Sequence, residues 1–235
     1  MELTMTDTVA SLAINHILQY IASEKALGLG LSPLFVGLQA PQGCGKTTLA
    51  HSLRTELASA PHSLRIVTFS IDDLYLDNEA LQAVGRKHPG NALLQGRGLP
   101  GTHDIELGRS ILEDLSIMGR KNQDGEGEVV RIPVYDKSLH SGLGDRLPAD
   151  KWTVIQPPVD VVVLEGWCFG FYPLSLEELS ERWARRDDFA MPTSVRLDGG
   201  IEDIKVVNGN LKTYVDAWYS YFTCFIQVSL FEAVH

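Results

Sequence analysis

Residues 40–48 read Ala-Pro-Gln-Gly-Cys-Gly-Lys-Thr-Thr. They follow the apolar run Leu34-Phe-Val-Gly-Leu38 and lead into a stretch with Leu49, Leu53 and Leu57 at a spacing of four. The context is therefore strand, glycine-containing loop, helix, which is where a phosphate-binding loop must sit. Successive backbone N–H groups and the positive end of the following helix form an anion cradle. Gly43 and Gly45 permit backbone angles and close approach that a side chain would block. Lys46 is placed to reach the β- and γ-phosphates of a nucleotide, and the Thr47 hydroxyl to ligate Mg²⁺. The usual pattern opens on Gly, and here Ala40 holds that place while the Gly-x-Gly-Lys-Thr core is intact. The candidate nucleotide-binding set is Ala40, Gln42, Gly43, Cys44, Gly45, Lys46, Thr47 and Thr48.

Two downstream strand ends carry acids. Arg65-Ile-Val-Thr-Phe-Ser-Ile71 reads as a strand and ends in Asp72-Asp73-Leu74-Tyr75. Carboxylates at such a position sit where α/β sheets bind ligands. One of them could take the proton of an attacking hydroxyl or help hold Mg²⁺, and helix capping is the plain alternative. Val159-Asp-Val-Val-Val-Leu-Glu165-Gly-Trp167 is almost continuously apolar, as a strand covered on both faces should be. Its terminal Glu165 matches the Walker B role of positioning Mg²⁺.

Further segments are polar and irregular. Residues 76–103 contain a short helical pattern near 78–84 and are then broken by Gly90, Gly96, Gly98, Pro100 and Gly101. Arg97 and His103 lie there and Asp104 follows, in a mix that suits a polar, anionic substrate. Thr102 or Asp104 caps a helix running to about Met118. Residues 121–128 read as a solvated loop tip. Val129 to Tyr135 is strand-like, with Pro133 marking an edge or terminus. Asp136 to Arg146 is a second polar segment that could fold over the site, with Lys137 and Arg146 as clamps or as surface ion pairs. Ser175-x-x-Glu178 is a capping box opening a helix to about 186. The spacing predicts a linker over 187–201, a helix over 208–222 and a last strand over 223–230. Strands and helices alternate throughout, so the expected class is α/β with a mainly parallel sheet.

Composition narrows the partners. The chain has 235 residues and a net charge of −10, with no basic run. That argues against nucleic acid or an anionic membrane as main partner. Three cysteines form no disulfide or metal framework. No basic leader and no 18-residue apolar stretch occurs, so the expectation is a soluble cytoplasmic chain, with the nucleus also open.

Taken in order, A-x-Q-G-x-G-K-T-T, S-I-D-D-L-Y, R-G-L-P-G-T-H-D, P-V-Y-D-K-S-L-H-S-G-L-G-D-R and V-V-V-L-E-G-W resemble the D-glycerate 3-kinase family, with most similarity to its fungal ATP-dependent kinases. The resemblance covers about residues 10–230. It implies a P-loop NTPase fold with helices on both faces of the sheet, ATP and Mg²⁺ as cofactors, and a small-molecule hydroxyl acceptor. By the same resemblance Asp72 is the general base with Asp73 in reserve, and Lys46 and Glu165 complete the catalytic set. Thr47, Asp72 and Glu165 are the metal candidates. Asp73, Tyr75, Arg97, His103, Asp104, Tyr135, Lys137 and Arg146 are the acceptor-pocket candidates. Relatives usually continue past residue 230 with a lid-bearing helical region, so the expectation is a single kinase domain, residues 1–235, without that region. Two alternatives to a glycerate-type kinase stay open: a nucleotide-binding module without turnover, and a nucleoside kinase.

Overall fold

The structure, a computed structural model, describes residues 8–28, 32–119, 128–185 and 199–229. The loop tip at 121–127, most of the 187–201 linker and the end of the chain lie outside them.

Four parallel strands make the central sheet: β1 (Leu34–Gln39), β2 (Ile66–Ser70), β7 (Val161–Gly166) and β8 (Cys224–Gln227), in the order β2-β7-β1-β8. The order places the most apolar strand, β7, between two others, where both of its faces are covered. Alternate residues serve the two faces, because side chains along a strand point to opposite sides. Val161 and Val163 join Leu34, Val36 and Leu38 on one face. There they meet α1 (Val9–Ala26) through Ile14 and Ile17, and α2 (Lys46–Ala58) through Leu49, Leu53 and Leu57. Val162 and Leu164 join Phe35, Val67 and Phe69 on the other face. That face packs on α4 (Ile105–Ser116) through Ile111, Leu112 and Leu115, and on α6 (Ile201–Trp218) through Tyr214 and Trp218.

Register aligns the ends of the strands. Leu38 and Ser70 both pair with Glu165, and Gln39 pairs with Gly166. The phosphate-loop strand, the acid-bearing strand and Glu165 therefore finish at one level, and their loops open to the same side.

Most expected elements are present with shifted bounds. Thr8 caps α1, and Asp104 rather than Thr102 caps α4. The helix near 78–84 runs further, as α3 (Asn78–Lys87), and the capping-box helix is α5 (Leu176–Ala184). The helix expected at 208 begins at Ile201, one residue after Gly200. Pro133 divides the expected 129–135 strand. Its first part, β3 (Val130–Ile132), pairs antiparallel with β6 (Thr153–Ile155), and its last, β4 (Tyr135–Asp136), pairs with β5 (Asp145–Arg146).

Candidate active site

Gly43 and Gly45 hold φ of 79° and 83°, the left-handed region that glycine occupies without strain. These two residues turn the chain from β1 into the N-terminus of α2, whose cap is Gly45 itself. Lys46, the first residue of α2, donates its ammonium to the Pro41 carbonyl at 3.2 Å, and Cys44 Sγ donates to the same carbonyl at 2.8 Å. The loop is thus folded on itself, with its donors at a helix N-terminus, an arrangement that accepts a phosphate chain.

Ser70 ends β2 and opens a 3₁₀ turn over residues 71–74. Its hydroxyl accepts from Asp72 N at 3.2 Å, while the Asp73 carboxylate reaches back to Ser70 N at 3.0 Å. Asp73 also receives the Tyr135 backbone N–H, and burial pushes its carboxyl up from the ordinary value. Asp73 is held by two backbone donors. Asp72, one residue earlier in the turn, instead meets the Lys137 ammonium at 2.6 Å and the Tyr75 hydroxyl.

A cleft of about 550 Å³ joins these parts. Gln42, Gly43, Lys46 and Thr47 line it from the phosphate loop, Ser70, Asp72 and Asp73 from the turn, and Glu165, Gly166 and Trp167 from β7 and the residue after it. Tyr135 and Lys137 close its remaining side. Burial raises the Glu165 carboxyl above its ordinary range, while the Ser70 hydroxyl and the Lys46 charge oppose that shift.

Behind this lining stands a second layer. Arg146 donates to the Tyr75 carbonyl at 2.7 Å and to Asp104 at 3.0 Å, while Asp104 caps α4 by accepting from Leu107 N. Arg97 donates to the carbonyls of Gly142 and Leu143 and lies 5.9 Å from the centre of the Tyr135 ring. Gly144, with φ of 83°, leaves room there, since a Cβ would meet the Tyr135 ring at 2.5 Å. His103 is buried, stacks on Tyr75 at 4.3 Å, and pairs with it in an isolated β-bridge. Desolvation lowers its pKa to about 3, so the ring is neutral near pH 7.

The predicted residues therefore divide into two groups. Gln42, Gly43, Lys46, Thr47, Asp72, Asp73, Tyr135, Lys137 and Glu165 line the cleft. Ala40, Cys44, Gly45, Thr48, Tyr75, Arg97, His103, Asp104 and Arg146 stand around it. Ser70, Gly166 and Trp167 line the cleft and were not among the predicted residues. Ser70-x-x-Asp73 is a serine–acid spacing visible in the sequence, whereas nothing singles out Trp167. Among the described residues no three carboxylate, imidazole or thiolate groups converge on a metal position. Thr47 with one or two carboxylates fits Mg²⁺, which binds few protein ligands and keeps waters and substrate phosphates.

A glycine-rich loop between strand and helix, next to a parallel strand ending in an acid, defines a P-loop nucleotide-binding domain. Comparison with known proteins gives the family. No family model matches the chain. It is 36% identical over 203 residues to the chloroplastic D-glycerate 3-kinase of Arabidopsis thaliana, covering 86% of this chain and 39% of that protein. It is 39% identical over 157 residues to the uncharacterized kinase mug58 of Schizosaccharomyces pombe, covering 64% of this chain and 53% of that one. The chain thus spans about half the length, or less, of these two curated relatives. The solved D-glycerate 3-kinase of Cryptococcus neoformans superposes with a TM-score of 0.82 at 32% identity, over 97% of this chain and 75% of that one. The chain belongs to the D-glycerate 3-kinase family.

Proposed function

We propose that the protein is an ATP-dependent kinase that transfers the γ-phosphoryl group of ATP to a hydroxyl of a small hydroxy acid resembling D-glycerate, in the cytoplasm. One observation carries the reading: the phosphate-loop Lys46 and the Asp72 carboxylate line the same cleft. A nucleotide seated on the loop and a hydroxyl beside Asp72 then share one volume. The names of the relatives favour glycerate as the acceptor class.

In this reading Asp72 accepts the proton of the acceptor hydroxyl, whose oxygen attacks the γ-phosphorus in line as the bond to the ADP oxygen breaks. The Tyr75 hydroxyl, hydrogen-bonded to Asp72, orients that carboxylate. Lys46 follows the charge on the β- and γ-phosphates. Lys137, more than half exposed on its Asp72 partner, is easily drawn away. A pair this open contributes about 1 kcal/mol or less, so an arriving phosphoryl oxygen can take the ammonium and leave Asp72 as a base. Thr47 with Glu165 or Asp72 would hold Mg²⁺, which would supply positive charge to the nucleotide phosphates. Gln42, Gly43 and Gly45 contribute room and backbone donors to the cradle.

Binding and chemistry are tested separately. ATP with Mg²⁺ should raise Tm, because a ligand bound only to the folded state adds RT ln(1 + [L]/Kd) to stability. Lys46→Ala should abolish that rise, and an unchanged rise would count against the phosphate-loop reading. ADP release should then depend on D-glycerate. A Tm rise without ADP release would turn the reading toward a binding module or, if a nucleoside restored release, a nucleoside kinase.

A further inference from the structure

Ser70 is the last residue of β2 and pairs in register with Glu165 of β7. Register partners on neighbouring parallel strands stand about 5 Å apart with their side chains on one face. Both residues line the cleft, and the Ser70 hydroxyl is hydrogen-bonded to the Glu165 carboxylate. The same hydroxyl lies 3.2 Å from the Asp72 backbone nitrogen. A backbone N–H can only donate, and an ionised carboxylate can only accept, so the roles are fixed. The Ser70 oxygen accepts from Asp72 N, and its single proton goes to Glu165. One hydroxyl thus ties the end of β7 to the turn that presents Asp72.

The charges around Glu165 show what such a donor does. Asp72 and Asp73 repel the Glu165 carboxylate, and the Lys46 ammonium attracts it. Lys46 gives its hydrogen bond to the Pro41 carbonyl instead, so it acts on Glu165 by charge. In the reading above Lys46 follows the nucleotide phosphates. Ser70 then remains as the neutral donor on Glu165, at a position set by strand register. A hydrogen bond on one carboxylate oxygen fixes the rotation of the group and leaves the other oxygen to a metal ion or one of its waters.

We propose that Ser70 is a positioning residue that acts through Glu165: its hydroxyl sets the carboxylate that holds Mg²⁺ beside the phosphate loop. This rests on the kinase reading above for the metal and the nucleotide. Metal-binding carboxylates depend on hydrogen-bond partners of this kind, whose loss costs about 10–100-fold in metal affinity.

Thermal unfolding separates the metal from the nucleotide, with each variant compared against its own ligand-free Tm. ATP is added once in EDTA and once with excess Mg²⁺, and the difference between the two Tm rises is the metal-dependent part. In Ser70→Ala the rise in EDTA should equal that of wild type. The metal-dependent part should fall by about 3–5 °C, the equivalent of tenfold weaker metal binding. Ser70→Thr keeps the hydroxyl and suits both a strand end and a cap, so it should restore that part. The lost cap also lowers the ligand-free Tm of Ser70→Ala, but that loss does not enter the comparison. An undiminished metal-dependent part in Ser70→Ala overturns the proposal. So does a rise in EDTA that shrinks with it, the mark of a merely structural role, or a failure of Ser70→Thr to restore it. A wild-type chain that responds to ATP but gains nothing from Mg²⁺ overturns the proposal and leaves the phosphate-loop reading standing. One that ignores ATP in both conditions overturns the two together.

Discussion

Asp72 and Asp73 are adjacent, carry the same charge and stand in the same turn, yet their surroundings differ. Asp73 closes a capping box with Ser70, while Asp72 is hydrogen-bonded to Lys137 and Tyr75. We therefore expect Asp72→Asn to keep the ATP-induced Tm rise and to lower turnover by about a hundredfold or more, the usual scale for a lost general base. Asp73→Ala should lose about 1 kcal/mol of stability with its cap, or about 2–4 °C in Tm for a chain of this size. Should Asp73→Asn stop turnover while Asp72→Asn does not, the roles are reversed. His103 supplies a pH prediction. Its folded pKa of about 3 lies below the ordinary value of 6.5. The unfolded chain therefore binds the extra proton first, and stability present above pH 6.5 is lost as pH falls toward 3. Denaturant titrations should show His103→Gln losing less stability than wild type across that window, and parallel curves would contradict the burial argument. At this scale the sequence was partly legible. The glycine loop, the paired aspartates and Glu165 announce themselves because strand and helix context fixes what such residues do. The division of labour between Asp72 and Asp73 depends on which one the turn aims at Ser70, and no periodicity reports that.

At the scale of elements, two helical glycines make opposite predictions from the same substitution. Glycine inside a helix is about 1 kcal/mol less favourable than alanine. At Gly209 in α6 a Cβ meets nothing within 4 Å, so Gly209→Ala should gain most of that difference and raise Tm. At Gly108 in α4 a Cβ would lie 2.5 Å from the Trp218 ring. Overpacking of this kind costs about 1–3 kcal/mol, which outweighs the propensity gain, so Gly108→Ala should lower Tm. Thermal denaturation of both variants checks the α4–α6 contact directly, and a rise in both would mean that the two helices do not touch at Gly108. Apolar spacing revealed α2, α4 and the core of α6. It placed the start of α6 seven residues late, because Ile201 follows a glycine pair and reads as the end of the linker. It also merged β3 and β4, since Pro133 interrupts a run that is otherwise uniformly strand-like.

On the scale of the whole molecule, site and scaffold depend on one another through the alignment of strand ends. β1 delivers the phosphate loop, β2 the turn with Asp72, and β7 Glu165, and their register brings all three to one level. That convergence was expected from the parallel order of the strands. The reinforcement behind the acceptor loop was not, because it joins residues near 100 to α6 through Asn210 and Tyr214, and such long-range pairing leaves no local pattern. No helix among the described residues is long and apolar enough to cross a membrane. The account's central claim is phosphoryl transfer within the cleft shared by Lys46 and Asp72. ³¹P NMR of the chain with ATP, Mg²⁺ and D-glycerate tests it most directly. The account predicts a phosphomonoester signal growing in step with ADP for the wild-type chain and almost none for Asp72→Asn. A wild-type chain whose Tm responds to ATP but which yields no such signal would contradict it.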